Sequence, residues 1–174
     1  MAGACMADRA HPLAASAAGS PDCPAVQLAA LPPATRLIIR GDASVLALMG
    51  LTAPDTCRAN TSGGNTLLWL GPDEFLMLAS DDAALVLANS VDVSHRDTAL
   101  VVSGPRAAWV INAFCALDLH PAVFPVGMCT RTVLGKAEIL LWRIAAETFR
   151  IEVARSFAPY VWACLEEARR EFLA

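Results

Sequence analysis

Two stretches of sequence decide the fold: LLWLGPDEFLML at residues 67–78 and LLWRIAAETFRIEV at residues 140–153. Each places one apolar run before a short turn and a second apolar run after it, which is the pattern of a β-hairpin. In the second stretch Phe149, Ile151 and Val153 alternate strictly, which predicts a strand with one buried face. The sequence therefore predicts two similar hairpins, one in each half of the chain.

The elements around these hairpins repeat in the same order. A predicted strand, a glycine turn and an apolar helix precede each hairpin, and a further helix follows it. The strands are predicted at 37–40 and 100–103, the first helices end near 49 and 115, and the later helices cover 81–89 and 156–172. Hairpins mixed with helices predict an α+β fold of duplicated strand-helix-hairpin-helix units. On this duplication Trp69 and Trp142 are expected at equivalent positions.

Several residues have the properties of helix caps. Asp42 and Ser103 are predicted N-caps, and Pro105 suits the first turn after Ser103. For the last helix Ser156 is the predicted N-cap, with Pro159 in the first turn. That helix is expected to carry a Glu166–Arg170 pair on its exposed side and one apolar stripe of Phe157, Val161, Leu165, Ala168 and Phe172.

The composition excludes some classes of protein. Only 17% of the 174 residues are charged, against roughly 25% in an ordinary globular domain. Either the surface is unusually apolar, or part of it is buried against another protein, and the second interpretation is favoured. The net charge of -4 and the scattered basic residues argue against a nucleic-acid binder. The apolar stretch 107–117 is too short for a membrane span and the N-terminus lacks a signal peptide, so a cytoplasmic protein is expected.

The N-terminal residues differ from the rest. Residues 1–34 are rich in alanine and carry five prolines, which preclude a long helix. Either a disordered tail or an extended arm that orders against a partner fits this composition. Residues 35–174 are expected to form a single domain of two repeats, about 35–90 and 91–174.

The six cysteines are interpreted as reduced and mostly buried thiols. No pair has C-x-x-C spacing, and the disulfide reading requires a short secreted chain. Cys115, His120 and Cys129 match no common zinc pattern.

Motifs for catalysis are missing as well. The chain has no dinucleotide-binding or phosphate-binding loop; 62–65 is interpreted as a turn, and Gly135-Lys136-Ala137 lacks the rest of a P-loop. Ser94, His95 and Asp97 lie within four consecutive residues, without the exposed elbow that a nucleophilic serine needs. The sequence therefore predicts no catalytic, cofactor-binding or metal-binding residue.

The second half of the chain resembles the sarcosine oxidase gamma subunit family. The matching segments are VDVS (91–94), SGPRA (103–107), LDLHP (117–121), FPVG (124–127), TVLGKA (132–137), LLWR (140–143), TFR (148–150) and SFA (156–158). Earlier, LWLGPDEF (68–75) resembles another hallmark of that family, which often ends in Trp where this chain has Phe75. The resemblance covers roughly residues 35–172.

This resemblance implies a fold similar to the N-terminal part of the folate-binding aminomethyltransferase of the glycine cleavage system. It implies a non-catalytic, structural subunit of a heterotetramer with alpha, beta and delta subunits. The complex would demethylate sarcosine oxidatively to glycine, with hydrogen peroxide and either formaldehyde or methylene-tetrahydrofolate as products. FAD, FMN, NAD, tetrahydrofolate and zinc are expected on the other subunits, and none on this chain.

Other hypotheses stay open from the sequence. The chain would alternatively be a folate-binding module with a retained one-carbon site, which requires a buried acidic residue facing a central channel. A stand-alone enzyme would need a polar constellation, and a relative acting in iron-sulfur cluster assembly would need a cysteine motif that is absent. On the leading hypothesis an obligate partner is expected, with Arg106, Arg143 and Arg150 at the rim of its interface.

Overall fold

The computed structural model describes residues 11–79 and 89–173, and this part of the chain contains ten β-strands and four α-helices. The strands are β1 (Gln27–Ala30), β2 (Thr35–Arg40), β3 (Ala59–Ser62), β4 (Asn65–Gly71), β5 (Glu74–Ala79), β6 (Ser90–Asp92), β7 (Asp97–Ser103), β8 (Cys129–Leu134), β9 (Ala137–Ala145) and β10 (Thr148–Ala154). The helices are α1 (Ala14–Ala18), α2 (Ala43–Leu48), α3 (Ala107–Asn112) and α4 (Ala158–Arg169), which a 3₁₀ turn at Arg170–Phe172 extends.

The strands form two five-stranded sheets in which every pairing is antiparallel. The first sheet has the order β3-β4-β5-β2-β6, and the second has the order β8-β9-β10-β7-β1. The sheets pack face to face through a shared apolar cluster of Leu68, Leu76, Leu78, Cys129 and Leu140. Helices α3 and α4 cover the outer face of the second sheet, where the largest core cluster lies. The predicted α+β fold of duplicated units is confirmed.

The two hairpins have the same internal geometry. In each, a two-residue turn follows a register shift: between Trp69 and Gly71 in the first hairpin, and next to Phe149 in the second. The amide of Gly41 donates to the carbonyl of Asp73 at 3.0 Å, and the amide of Gly104 donates to the carbonyl of Glu147 at the same distance. Both hairpins are thus tied at their turns to the glycine that follows the strand beside them, β2 in the first unit and β7 in the second.

The tryptophans lie on equivalent strands but not at equivalent positions. Trp69 pairs with Phe75, whereas Phe149 pairs with Arg143, so Arg143 occupies the position of Trp69 in the second unit. Trp69 packs beside the core of the first unit, and Trp142 packs in the cluster between the sheets. The predicted equivalence is wrong by one residue, and one residue moves a side chain to the opposite face of a strand.

The short strand that precedes each unit pairs with the sheet of the other unit. Strand β1 precedes the first unit but pairs with β7, and β6 precedes the second unit but pairs with β2. The connections that follow them match, because the amide of Leu31 donates to Ala99 and that of Val93 donates to Arg36. The sheets also meet at an antiparallel bridge between Arg58 and Met128. These exchanges make the two sheets one body.

The described part of the segment expected to be an extended or disordered arm contains α1 and β1. Leu13 and Val26 are fully buried in the core of the second unit. The guanidinium of Arg169, 1% exposed, donates to the Val26 carbonyl at 3.2 Å and to the Ser20 hydroxyl. The prolines of this segment lie outside α1 and β1, so they do not interrupt these elements. The sequence did not reveal this because its anchors lie more than a hundred positions away.

The cap predictions have mixed outcomes. Asp42 caps α2 as predicted, since its carboxylate accepts from the amides of Ser44 and Val45. The Ser44 hydroxyl also donates to this carboxylate, and this bond together with the two amide bonds lowers the pKa of Asp42. Ser103 does not cap α3, because it is paired within the second sheet; the N-cap is Arg106, without a side-chain cap bond, and the helix ends at Asn112.

Helix α4 departs from the prediction at both ends. Its N-cap is Phe157, not Ser156, and Pro159 lies in the first turn as predicted. Phe157 is 47% exposed and leaves the predicted stripe, while Trp162 is buried in its place. The charged pairs are i,i+3, Glu166 with Arg169 and Glu167 with Arg170. The helix predicted at 81–89 lies outside the described residues, except for Asn89.

The cysteines of the described residues are free thiols. Cys23, Cys115 and Cys129 are buried, and Cys57 and Cys164 are half-buried. Among the described residues, no helix is long and apolar enough to cross a membrane.

Candidate functional site

The polar residues singled out in the sequence serve the local structure. The Ser94 hydroxyl accepts from the amide of Arg36 at 2.8 Å, and Asp97 is paired with Arg96 at 2.9 Å. The Ser94 hydroxyl is thus bonded to strand β2, and the Asp97 carboxylate is paired with its chain neighbour Arg96.

The three candidate metal ligands each contact a different part of the chain. The Cys115 thiol contacts the Thr132 hydroxyl at 3.8 Å, and the Cys129 thiol donates to the Trp69 carbonyl at 3.8 Å. A ring nitrogen of His120 accepts from the amide of Ala122. Within residues 11–79 and 89–173, no three His, Cys, Asp or Glu side chains are grouped to hold a metal ion.

A large cavity lies beside α3. It has a volume of about 1200 Å³ and is bounded by α3, the loop 118–126 and the turn of the second hairpin. We call it the α3 groove. Its outer walls carry Trp109 and Val126, which are 62% and 54% exposed. Phe149 and Arg143 form its floor, and both are buried. The groove is therefore apolar at its walls and holds one buried cation.

The arginine in the floor is held by main-chain carbonyls. Arg143 Nη1 donates to the carbonyls of Leu119 and Phe124 at 3.1 and 2.8 Å, and its Nε and Nη2 donate to that of Ala146. Its guanidinium carbon lies 5.0 Å from the centre of the Phe149 ring. Such a cation–π contact and the carbonyl dipoles offset part of the cost of burying the charge. The expectation that Arg143 lies at an exposed rim is wrong, because it is 5% exposed.

The loop of the groove is rigid by its own hydrogen bonds. The Asn112 amide donates to the carbonyls of Cys115 and Leu117, and the Asp118 carboxylate accepts from the amide of His120. The carbonyl of His120 accepts from the amides of two later residues of the loop. These bonds fix the loop beside α3, and the carboxylates of Asp118 and Glu147 also line the groove that the loop bounds.

A second cavity of about 660 Å³ lies between the two sheets, and Glu152 forms part of its wall. Glu152 is 5% exposed, and its Oε2 lies 2.7 Å from Nε of Arg36, which is 1% exposed. Its Oε1 lies 2.6 Å from Nη2 of Arg150. Arg150 is thus committed to an internal pair, and its expected place at the rim is wrong. The buried acidic residue required by the folate hypothesis exists, but two arginines neutralise it.

Sequence reasoning missed these buried charges. Charged residues on alternating strands are ordinarily read as solvent-facing. Arg36 and Glu152 are 116 positions apart in sequence and belong to different sheets. Only the packing of the sheets brings them together, so no local sequence pattern predicts the pair.

Comparisons with known proteins agree with this architecture. The model of the sarcosine oxidase gamma subunit family matches residues 82–171. The sarcosine oxidase subunit gamma of Corynebacterium sp. (strain U-96) is 34% identical over 146 residues, which cover 77% of this chain and 71% of that protein. The chain belongs to the sarcosine oxidase gamma subunit family. The subunit gamma of Arthrobacter sp is 31% identical over 144 residues, 76% of this chain and 71% of that protein.

Solved structures extend the likeness of this family member to the whole fold. A chain of the heterotetrameric sarcosine oxidase from Corynebacterium sp. U-96, in complex with pyrrole 2-carboxylate, superposes with a TM-score of 0.84 and 30% identity. That match covers 95% of this chain and 97% of the other. The glycine cleavage system aminomethyltransferase T from Bartonella henselae superposes with a TM-score of 0.54 at 12% identity, over 81% of this chain and 45% of the other. The predicted family and fold are confirmed.

Proposed function

We propose that this chain is the non-catalytic gamma subunit of a heterotetrameric sarcosine oxidase and assembles with alpha, beta and delta subunits in the cytoplasm. The observation that carries the proposal is the superposition over nearly the full length of both chains, at a TM-score of 0.84, on a chain of such an enzyme. In this proposal FAD, FMN, NAD, tetrahydrofolate and zinc are bound by the sister subunits. The complex oxidises sarcosine to glycine, and this subunit stabilises the assembly.

The use of the buried charges supports a structural role. Four charged side chains are buried in the described residues: Arg36, Arg143, Glu152 and Arg169. Each bonds to a carboxylate, an arginine or a carbonyl of the chain itself. A catalytic group needs free hydrogen-bonding capacity toward a substrate. The hydrogen bonds that these four groups form join the sheets and anchor loops.

The exposed apolar side chains support an interface. Trp109, Leu48 and Val91 are more than half exposed, in a chain with only 17% charged residues. Interfaces are enriched in aromatic side chains and depleted of charge at their centre. We further propose that the domain is the single aminomethyltransferase-like body of two repeats, about 35–90 and 91–174.

The test is co-expression of this chain with its alpha, beta and delta subunits, compared with expression of the chain alone. We expect a stoichiometric complex that oxidises sarcosine, whereas the chain alone is colourless, inactive and poorly soluble. Purification of the chain with the sister subunits is followed by gel filtration and by visible absorbance. A soluble monomer without affinity for the sister subunits, or one that retains flavin, would contradict the proposal.

One observation favours a second candidate, a folate-binding module with a retained one-carbon site. Glu152 is a buried carboxylate at the wall of the cavity between the sheets. The arginines on both of its oxygens leave no free carboxylate for a ligand, so the residues present do not fit that site well. Equilibrium dialysis of the purified complex lacking the alpha subunit against tetrahydrofolate tests this candidate. Stoichiometric binding that Glu152→Gln abolishes would favour it over a purely structural role.

A further inference from the structure

Two cysteines lie opposite one another where the edges of the two sheets meet. Cys57 lies just before β3, and Cys129 is the first residue of β8. Arg58 and Met128 form an antiparallel bridge between these segments, and the amide of Cys129 donates to the carbonyl of Cys57 at 2.9 Å. This register places Cys57 directly across from Cys129, so one thiol belongs to the edge of each sheet.

The spacing of such a pair fits a disulfide bond. Residues directly opposite in antiparallel strands have Cα atoms ~4.5–5.5 Å apart, and disulfides span Cα separations of ~4.4–6.8 Å. Burial raises the pKa of Cys129 to about 12, a charge on Cys57 adds to this rise, and the Arg58 guanidinium opposes it. The side chain of Cys57 is therefore close enough to act on the Cys129 thiol.

Cys57 differs from the other described cysteines in its neighbour and in its backbone. The others contact groups that contain no sulfur: Cys23 the Phe172 carbonyl, Cys115 the Thr132 hydroxyl and Cys164 the Tyr160 hydroxyl. Cys57 has a φ of 56°, a left-handed conformation that glycine adopts without strain and other residues rarely occupy. Strained backbone positions of this kind are concentrated at functional sites.

We propose that Cys57 and Cys129 form a reversible disulfide bond that clamps the two sheets together when the protein meets a peroxide. The Cys57 thiolate attacks one oxygen of hydrogen peroxide, the O–O bond breaks, and a sulfenic acid and hydroxide are formed; the hydroxide takes up the proton that Cys57 released. The Cys129 sulfur then displaces the sulfenic hydroxyl, which leaves as water with the Cys129 proton. Two thiols are oxidised to one disulfide, and the peroxide is reduced to two water molecules.

The order of the two steps follows from burial. Cys129 is 0% exposed, so an external oxidant reaches the half-buried Cys57 first. Cys129 reacts only with a sulfenic acid that the fold holds beside it, where proximity compensates for its small thiolate fraction. The proposed function would add a source of hydrogen peroxide within the complex, but the reaction needs only this chain and added peroxide. Disulfides of cytosolic proteins are typically transient and redox-sensing, which this pair matches.

The first experiment maps the disulfide in the full chain, purified with its sister subunits where solubility requires them. The reduced protein is treated with hydrogen peroxide at pH 8, and its peptides are analysed by mass spectrometry without reductant. We expect a linked Cys57–Cys129 peptide pair, at least ~tenfold more abundant than any other cysteine pair, because only these thiols are held together. Dithiothreitol should remove it, and oxidation in urea should abolish the preference.

Variants separate the two thiols without unfolding the chain. Cys57→Gly removes one thiol at a φ that favours glycine, so the fold is kept and the linked pair is lost. Cys164→Ser is the matched control, because Cys164 is also half-buried, and should leave the pair unchanged. Cys129→Ala should leave Cys57 as a sulfenic acid that dimedone traps. Peroxide should raise the melting temperature of the wild-type chain by ~5 °C or more and leave that of Cys57→Gly unchanged.

Three results would overturn the proposal. They are a Cys57 linked chiefly to another cysteine, a Cys57 that proceeds to the sulfinic acid without any link to Cys129, and equal yields of the linked pair in the folded and urea-unfolded chain. Failure of the chain to join the sister subunits would contradict the proposed function and leave this proposal standing, because the disulfide is mapped within one chain.

Discussion

Individual side chains show how burial alters chemistry in this protein. Cys129 lies at 0% exposure where the two sheets meet. Burial disfavours its charged form and raises the pKa of the thiol to about 12. The thiolate is the nucleophile in cysteine chemistry. A cysteine that sequence alone leaves as a possible ligand is therefore inert at neutral pH.

We predict that Cys129 resists alkylation in the folded protein. At pH 8 its thiolate fraction is about 10⁻⁴, because the pKa is about 12. Cys164, which is half-buried, is the internal control and should react at least a hundred times faster with iodoacetamide. Peptide mass spectrometry after timed labelling gives both rates. Equal labelling of the two residues without denaturant would show that Cys129 is accessible.

The pH dependence follows from the same raised pKa. Because the folded pKa lies above the ordinary value of 9.0, the burial of this neutral thiol stabilises the fold fully below about pH 9. That stabilisation is lost as the pH rises from about 9 to 12. Cys129→Ala should flatten this part of the stability curve measured by urea unfolding; an unchanged slope would contradict the assignment.

At the scale of elements, one glycine in each unit forms a hydrogen bond with the hairpin turn of that unit. Gly41 and Gly104 follow the strands β2 and β7 and have φ of 144° and 116°. Their amides close equivalent hydrogen bonds to Asp73 and Glu147. A Cβ on Gly41 would lie 2.7 Å from the Val45 side chain, and one on Gly104 would lie 2.5 Å from the carbonyl oxygen of Ala25. The second contact is with backbone and cannot be relieved by a rotamer.

We predict that Gly104→Ala is severely destabilising. Both a positive φ and a backbone clash must be accommodated, at a cost of about 3 kcal/mol or more. Gly50→Ala is the matched control, since Gly50 also has a positive φ of 71° but no atom within 4 Å of the added Cβ. It should cost about 1 kcal/mol. Urea unfolding followed by tryptophan fluorescence measures both, and equal losses would show that the clash is relaxed.

At the scale of the whole molecule, the two sheets are joined by unequal contacts. Arg36 of the first sheet and Glu152 of the second form a buried ion pair. In the repeated pattern Ala99 is the equivalent of Arg36, and Leu78 is the equivalent of Glu152. Ala99 pairs with Glu152 in the second sheet, and Leu78 pairs with Arg36 in the first sheet. The internal duplication is therefore not kept at these positions, because each charged residue has an apolar equivalent in the other unit. Arg36 Nη2 has no hydrogen-bond partner among the described residues, so the pair is incompletely satisfied.

We predict a strong non-additivity between these two positions. Glu152→Leu leaves Arg36 buried without its counter-charge and should destabilise the chain by about 3–5 kcal/mol. Arg36→Met combined with Glu152→Leu removes both buried charges, leaves only the partly exposed Arg150 without its partner, and should cost about 2 kcal/mol or less. Urea unfolding of the single and double variants forms the cycle. Additive losses would mean that the pair contributes no coupling between the sheets.

Much of the fold was accessible from local patterns. The hairpins at 67–78 and 140–153, the cap of Asp42 and the order of elements follow from alternation, turn residues and capping, which act over a few neighbouring residues. The register between the two hairpins could not be predicted in this way. The shared Leu-Leu-Trp sequence aligns Trp69 with Trp142, although their side chains lie on opposite faces. Ser103 was misassigned as a cap because its pairing partner lies in another hairpin.

What the sequence determined by itself is the duplicated α+β class, the low surface charge and the family to which the chain belongs. Only the tertiary structure decided the exchange of β1 and β6, the burial of Arg36, Arg143 and Arg169, and the α3 groove. The physical reason is range: turns, caps and alternation are properties of adjacent residues. Burial of a charge depends instead on partners supplied by distant strands, because a guanidinium leaves water only where carboxylates or carbonyls already converge on it.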